Sequence, residues 1–286
     1  MEMSVVVCAR NAGKTIRECL ESVRRSCPAE IIVIDGNSTD DTATVAREYT
    51  DKVFSDEGRG IAYARQLGAE KATGGYVCYV DSDVVLPEGT LHLMAREMES
   101  HGYAGIHAQV LSTENGTYWQ WAEDQHFRMR FNKEGEREML GAITVMYRRN
   151  TILRYQFDPA FSFFGAPEDG DFCHRLRKDG HRLGISSAVV YHQHRASARE
   201  FVRQRMCYGK GSAQAFWKHR SVKHLAGPLL MVPFGILVCF RTRSLRMLPY
   251  YLVWSVSGNI GLVSRLCQLV GQRLMPGALR RRATAL

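Results

Sequence analysis

The sequence predicts an α/β protein: a mostly parallel β-sheet covered by helices on both faces, followed by a helical C-terminal region. Three observations predict it. Short β-rich apolar runs alternate with stretches of helical periodicity from residue 4 to about residue 85, polar groups recur where those runs end, and beyond about residue 220 the chain turns to long uncharged stretches.

The first strand is "SVVVCA" (4–9), and "GKTIRECLESVRR" (13–25) then sets Ile16, Cys19, Leu20 and Val23 at helical spacing. A second strand follows at "EIIVID" (30–35), after which the polar "GNSTDD" caps a helix through Thr39 or Asp40. "KVFS" reads as a third strand, "GIAYARQLGAEKA" as a helix, "YVCYVDSD" as a fourth strand, and "LPEGTLHLMAREM" as a helix with Pro87 near its start. Strands and helices alternating at this pitch imply right-handed βαβ crossovers and a sheet buried on both faces. In such sheets ligands sit outside the carboxyl ends of the strands. Arg10, Asp35 and the pair Asp81 and Asp83 all fall at such ends, so three separate strands deliver polar groups to one edge.

Composition sets the bounds. With 286 residues and 45% hydrophobic content, the chain can bury one large core, or one domain plus an appendage. A net charge of +9 and a pI near 9.2 point to an anionic partner, and nucleic acid, phosphorylated small molecules and anionic lipid all qualify. The eight cysteines are scattered without CxxC spacing, which reads as reduced thiols in a cytosolic setting and not as a structural zinc site. "MEMSVVVCAR" begins a strand at once and lacks the regions of a signal peptide, so the N-terminal part is expected in the cytosol.

Asp81 and Asp83 lie on one side of an extended segment. Alone, the pair could be a solvated turn or the cap of the next helix. Its chemical reading is a hard divalent cation, Mg2+ or Mn2+, held by carboxylates and completed by diphosphate oxygens and water. Further on, "APEDGDFCHRLRKDG" (166–180) opens a helix with an acidic first turn, and "AVVYHQHRAS" (188–197) ends a strand with His192 and His194 two apart, on one face. Imidazole can complete a divalent site or contact a diphosphate; His192 is preferred and His194 held in reserve. Carboxylate ligation suits magnesium or manganese better than zinc.

Five ordered segments resemble the family 2 glycosyltransferases (GT2), whose nucleotide-binding domain has the GT-A fold, a Rossmann-like mixed sheet flanked by helices. They are "VVVCARNAGKTIRECLESV", "EIIVIDGNSTDDT", "GRGIAYARQLGAEKATGGYVCYVDSD", "GAITVMYRRN" and "FFGAPEDGDFCHRL", and the resemblance covers most of residues 3–215. It implies that the backbone around Ala9 and Arg10, with Asp35, holds the nucleoside. It also implies that Asp81, Ser82 and Asp83 form the DXD motif, with Asp83 the direct metal ligand and Asp81 facing ribose or metal, and that Arg65 approaches the diphosphate. Asp169 takes the place of the catalytic base, Glu168 orients the acceptor, and Asp171 is structural. Inversion is expected on the same grounds: one carboxylate takes the proton of the incoming hydroxyl as it attacks opposite the leaving diphosphate. Relatives resembling cellulose synthase carry Gln-x-x-Arg-Trp near "REFVRQRMCYGKGSAQAFWKHR"; aligned from Gln204, this chain has Cys207 and Tyr208 instead, which leaves Arg203 or Arg205 to meet the diphosphate and argues against a processive synthase.

The segments 225–240 and 247–264 are uncharged and would span roughly 24 and 27 Å as helices, near the lower limit for crossing a hydrocarbon core. They read as two short tilted spans or as a hairpin dipping into one leaflet, interrupted by Pro228, Pro233 and Pro249. Basic residues flank the pair and also lie between them, at Arg241, Arg243 and Arg246, and the balance keeps both chain ends cytosolic. The expected organisation is a catalytic domain over 1–198, an amphipathic interface helix over 199–223, and a membrane hairpin with a basic tail over 224–286. The expected activity is transfer of a hexose, mannose favoured, from GDP-mannose or a UDP-hexose to a lipid-linked polyprenyl acceptor at the cytosolic membrane face, with no nucleic-acid partner. The alternatives are a glucosyltransferase with a soluble acceptor, and a non-catalytic protein that binds anionic lipid or nucleic acid.

Overall fold

The computed structural model describes residues 2–161 and 167–274. Residues 163–166 of the "FFGAPEDGDFCHRL" segment and the basic tail with Arg280 to Arg282 lie outside the described residues. The chain divides into two compact units, Met1–Arg195 and Ala196–Leu286.

The first unit runs β1 (Met3–Ala9), α1 (Ile16–Arg25), β2 (Glu30–Asp35), α2 (Thr42–Arg47), β3 (Val53–Ser55), α3 (Ile61–Lys71), β4 (Tyr76–Asp81), β5 (Val84–Val85) and α4 (Thr90–Ser100). It continues with β6 (Gly105–Ser112), α5 (Tyr118–Arg130), β7 (Gly135–Arg137), β8 (Thr144–Arg148), α6 (Arg149–Tyr155), α7 (Pro167–Lys178) and β9 (Leu183–His192). The nine strands form one sheet ordered β3-β2-β1-β4-β8-β6-β9-β5, with β7 paired to β9 off that path. β3, β2, β1 and β4 are parallel, as the alternation of strands and helices predicts. Beyond β4 the sheet becomes mixed: β8 is antiparallel to both β4 and β6, β9 runs parallel to β6, and the two-residue β5 pairs antiparallel with β9.

Strand alternation explains why the central runs are apolar throughout. Val5, Val7, Val33, Cys78 and Val80 enter one core with α1 and α4 residues such as Leu20, Val23, Leu91 and Met94. Val6, Ile32, Ile34, Val77 and Tyr79 enter the other with Ala62 and Ala69 of α3 and with Phe172 and Leu176 of α7. The helix predicted over 13–25 begins at Ile16, and its four apolar positions are all buried. Neither Thr39 nor Asp40 is the cap residue of α2. Asp41 stands there without a side-chain cap bond, because the Asp40 carboxylate accepts from the Thr42 N–H at 3.1 Å and from Gly13 N–H at 3.0 Å. α3 approaches β1 closely through Gly68, where a Cβ would lie 2.4 Å from Val6 Cγ1.

The second unit is three helices, α8 (Ala198–His219), α9 (Lys223–Thr242) and α10 (Leu248–Leu274). The division falls at Arg195, and α8 lies in one unit with α9 and α10. Glycines make the joints: a Cβ on Gly209 of α8 would sit 1.9 Å from Gly258 O of α10, and one on Gly261 would sit 2.0 Å from Met206 O. Among the described residues no helix is long and apolar enough to cross a membrane. The expectation of two spanning segments is therefore not met among the described residues: Ser255, Ser257, Asn259 and Arg265 interrupt α10, and the uncharged stretch of α9 is only 225–240.

Candidate active site

The parallel register brings the strand ends together. Ala9 lies opposite Asp35, and Cys8 opposite Asp81, so the chain leaves β1, β2 and β4 along one edge. The loops there are tied to each other. Asn11 Oδ1 accepts from Thr39 N–H at 2.8 Å, Ser38 Oγ accepts from Asn11 N–H at 2.9 Å, and Thr42 Oγ1 accepts from Ala12 N–H at 2.7 Å. Asn11 and Asn37 both adopt positive φ, a conformation that asparagine tolerates. Ala9 is buried with its carbonyl accepting from Gly36 N–H at 2.7 Å, whereas Arg10 is exposed. Asp35 spends Oδ2 on Ser38 N–H, 3.1 Å away; its Oδ1 is buried with no hydrogen-bond partner among the described residues. A buried acceptor left over at this edge fits a ribose or base donor.

Asp81 closes β4 and Asp83 follows the turn at Ser82. β5 then pairs Val84 with His192 of β9, and Gln193 N–H donates to Asp83 O at 3.0 Å. This short ladder sets His192 Nε2 3.2 Å from Asp83 Oδ1. Ligand atoms of Asp81, Asp83 and His192 all lie within 4.8 Å of one another, the separation two carboxylates and an imidazole need to share a divalent cation. Arg195, absent from the residues the sequence singles out, places Nη1 3.4 Å from Asp83 Oδ2. Its only signal in the sequence is a basic residue directly after the "HQH" run. His194 is not part of the ligand cluster. It lies beyond the end of β9 with Nδ1 3.0 Å from His192 Nδ1, its ring stacked on Phe127 at 5.3 Å, and its Nε2 buried without a hydrogen-bond partner among the described residues.

The electrostatics separate the two aspartates. Burial, reinforced by Asp83, raises the Asp81 carboxyl above the usual carboxylate range against the pull of Arg65. Burial acts the same way on Asp83, but the His192 charge and hydrogen bond, with Arg195, outweigh it and lower the carboxyl. The same contact raises His192 although burial opposes it, whereas burial beside His192 lowers His194 to about 4.

Arg65 lies beside the Asp81 carboxylate and is already ion-paired. Tyr79 Oη donates to its backbone carbonyl at 2.9 Å, and its side chain is 7% exposed. The guanidinium is ion-paired with Glu168 and lies 3.7 Å from Asp81 Oδ1, so it bridges two acidic motifs 87 positions apart instead of standing free for a phosphate. Glu168 is only 1% exposed and holds one oxygen to Arg65; its Oε2 is buried without a hydrogen-bond partner among the described residues. Beside it Asp169 accepts from Gly170 N–H at 2.6 Å, and burial next to Glu168 raises its carboxyl well above the ordinary value, with Arg65 opposing. Asp171 binds Arg175 one helical turn on, at 2.9 Å, which fits a structural role.

Gln204 and Arg205 belong to the second unit. Arg205 is 2% exposed, its Cζ 3.8 Å from the Trp254 ring centre and within 5 Å of the Phe201 and Tyr208 rings, and it donates to Gln204 Oε1 at 3.0 Å. The arginine expected to meet a diphosphate is thus enclosed by aromatic rings of its own unit; Arg203 is exposed.

A mixed sheet with this strand order, carrying an acid and imidazole cluster at the carboxyl edge of β4, defines a GT-A-type nucleotide-binding domain. The family model described as glycosyl transferase family 2 matches residues 4–159, more than half of the chain, and the chain belongs to that family. It is 33% identical over 128 residues to the uncharacterized glycosyltransferase YibD of Escherichia coli (strain K12), covering 42% of this chain but only 37% of that protein. It is 24% identical over 259 residues to the succinoglycan biosynthesis protein ExoA of Rhizobium meliloti (strain 1021), covering 82% of this chain and 77% of that protein. The mannosyltransferase PcManGT of Pyrobaculum calidifontis, solved with GDP-Man and Mn2+, shares the fold at a TM-score of 0.62 and 17% identity, over 90% of this chain and 86% of that one.

Proposed function

We propose that this protein is an inverting, metal-dependent hexosyltransferase that uses a nucleotide-sugar donor and a lipid-linked acceptor. One observation carries the reading: ligand atoms of Asp81, Asp83 and His192 gather within 4.8 Å, and Arg65 joins that cluster to Glu168, the neighbour of Asp169. Bound there, Mg2+ or Mn2+ would neutralise charge on the leaving diphosphate. The protein's own groups do the rest. Asp35 offers its free Oδ1 to the nucleoside, Asp169 accepts the proton of the attacking hydroxyl at a carboxyl whose raised affinity suits that task, and Glu168 offers Oε2 to an acceptor hydroxyl while Arg65 fixes its other oxygen. GDP-mannose is the favoured donor, supported by the fold shared with a mannosyltransferase that binds GDP-Man; a UDP-hexose is the alternative. The apolar and basic C-terminal helices support an acceptor carried on a polyprenyl chain, met at the cytosolic face of the membrane.

The test is a thermal-shift screen of nucleotide sugars with and without Mn2+, followed by turnover of the best donor. A ligand that binds only the folded state raises apparent stability. One donor should raise Tm only when the metal is present, and Asp83→Ala should abolish that shift. A shift independent of metal and unaltered in Asp83→Ala would refute the site.

A further inference from the structure

The second unit leaves apolar side chains uncovered although its helices already pack on one another. On α9, Leu229, Leu230, Ile236, Leu237 and Phe240 recur along one helical face and are all exposed. On α10 the exposed positions are Leu252, Val256, Ile260, Val263, Val270 and Leu274, spaced by three, four or seven. At the turn between the helices, Phe240 is 79% and Leu245 73% exposed, and both line a cavity of about 290 Å3 with Ile236, Leu248 and Arg243. Arg241, Arg243 and Arg246 surround that turn and are exposed.

Charge identifies the occupant. All 29 acidic residues lie in the first 200 positions, and the remaining 86 hold fourteen Lys and Arg with no Asp or Glu. The net positive charge of the chain therefore comes wholly from the part that carries the apolar stripes. A second copy of this unit would bring the same uncompensated charge against itself, whereas an anionic bilayer offers both a hydrocarbon layer and phosphate groups.

Resting on the membrane placement proposed above, we infer that the α9–α10 turn is a lipid-binding tip. It inserts Phe240 and Leu245 into one leaflet of an anionic phospholipid membrane, and Arg241, Arg243 and Arg246 engage the headgroup phosphates. The cavity beside Phe240 takes the upper carbons of one acyl chain. Attachment is to one leaflet, because no described helix can cross.

The 286-residue chain is sedimented with vesicles of phosphatidylcholine alone or mixed with phosphatidylglycerol. Strong binding to the mixed vesicles, reduced by salt, is expected. The triple variant R241Q, R243Q, R246Q should bind the anionic vesicles roughly 100-fold more weakly, at about a factor of five per arginine. The double variant F240S, L245S should lose binding to both vesicle types; its residues are exposed, so Mn2+ binding should stay at the wild-type level. Wild-type protein that ignores vesicles, or variants that bind as well as wild type, would overturn the inference. So would a stable dimer in place of lipid binding that F240S, L245S converts to monomer. Wild-type protein that turns over donor with Mn2+ but binds no vesicles rejects the lipid tip alone, and wild-type protein that binds vesicles but turns over no donor rejects the transferase reading alone.

Discussion

Asp169 is a carboxyl kept from water, and this sets the direction of its pH dependence. Burial beside Glu168 raises its folded value above the ordinary 3.8. Below 3.8 both folded and unfolded chains hold the proton; between 3.8 and the raised value only the folded chain does, so the stabilisation is lost as pH rises through the folded value. Asp169→Asn should therefore melt higher than wild type at pH 8, with the two converging in acid, as calorimetry across pH would register. If Asp169 is the base, as proposed, the same substitution should lower kcat by about 10²–10⁴-fold with little change in donor affinity. Arg65 gives a second expectation at this scale. Arg65→Ala leaves Glu168 charged and buried, which should cost about 3–5 kcal/mol in denaturant unfolding. Arg65→Lys keeps a charge but not the fork that reaches both acids, so it should fall between.

Elements place these residues. The positions of Asp81 and Asp83 were legible in the sequence because a strand must end where a buried apolar run stops. Their partner His192 was readable only as a strand-end histidine. Its neighbour across the site was set by β5, a two-residue strand too short to leave a periodic signal. The ion pair of Arg65 with Glu168 was illegible for a related reason: helical periodicity gives the face of α3 but not the acid facing it from α7. In the second unit α8 starts with a capping box in which Ser197 Oγ accepts from Glu200 N–H and Glu200 answers on Ser197 N–H. Packing then depends on Gly209, where a methyl group would meet the Gly258 carbonyl. Gly209→Ala should destabilise the helical unit by about 1–3 kcal/mol as overpacking, and chemical denaturation would measure it.

At the scale of the whole molecule, two units divide the work by charge and by chemistry. The three side chains that gather within 4.8 Å, Asp81, Asp83 and His192, lie before residue 195, along with Asp35, Arg65 and Asp169. A chain ending at Arg195 should bind Mn2+ within about tenfold of the 286-residue chain, since among the described residues the cluster and its ion-pair partners all lie at or before Arg195. Isothermal titration of both proteins would decide it; a complete loss would mean that the helical unit supports the cluster. The sequence by itself determined the parallel half of the sheet, the strand ends that carry the acids, and the apolar and basic character of the C-terminal helices, because these follow from local periodicity and composition. Only the tertiary structure decided that Arg65 bridges Asp81 and Glu168, that His192 and not His194 joins the aspartates, and that Arg205 is enclosed by aromatic rings. Those are contacts between residues far apart in the chain, and periodicity records which face a side chain takes without recording what it meets there.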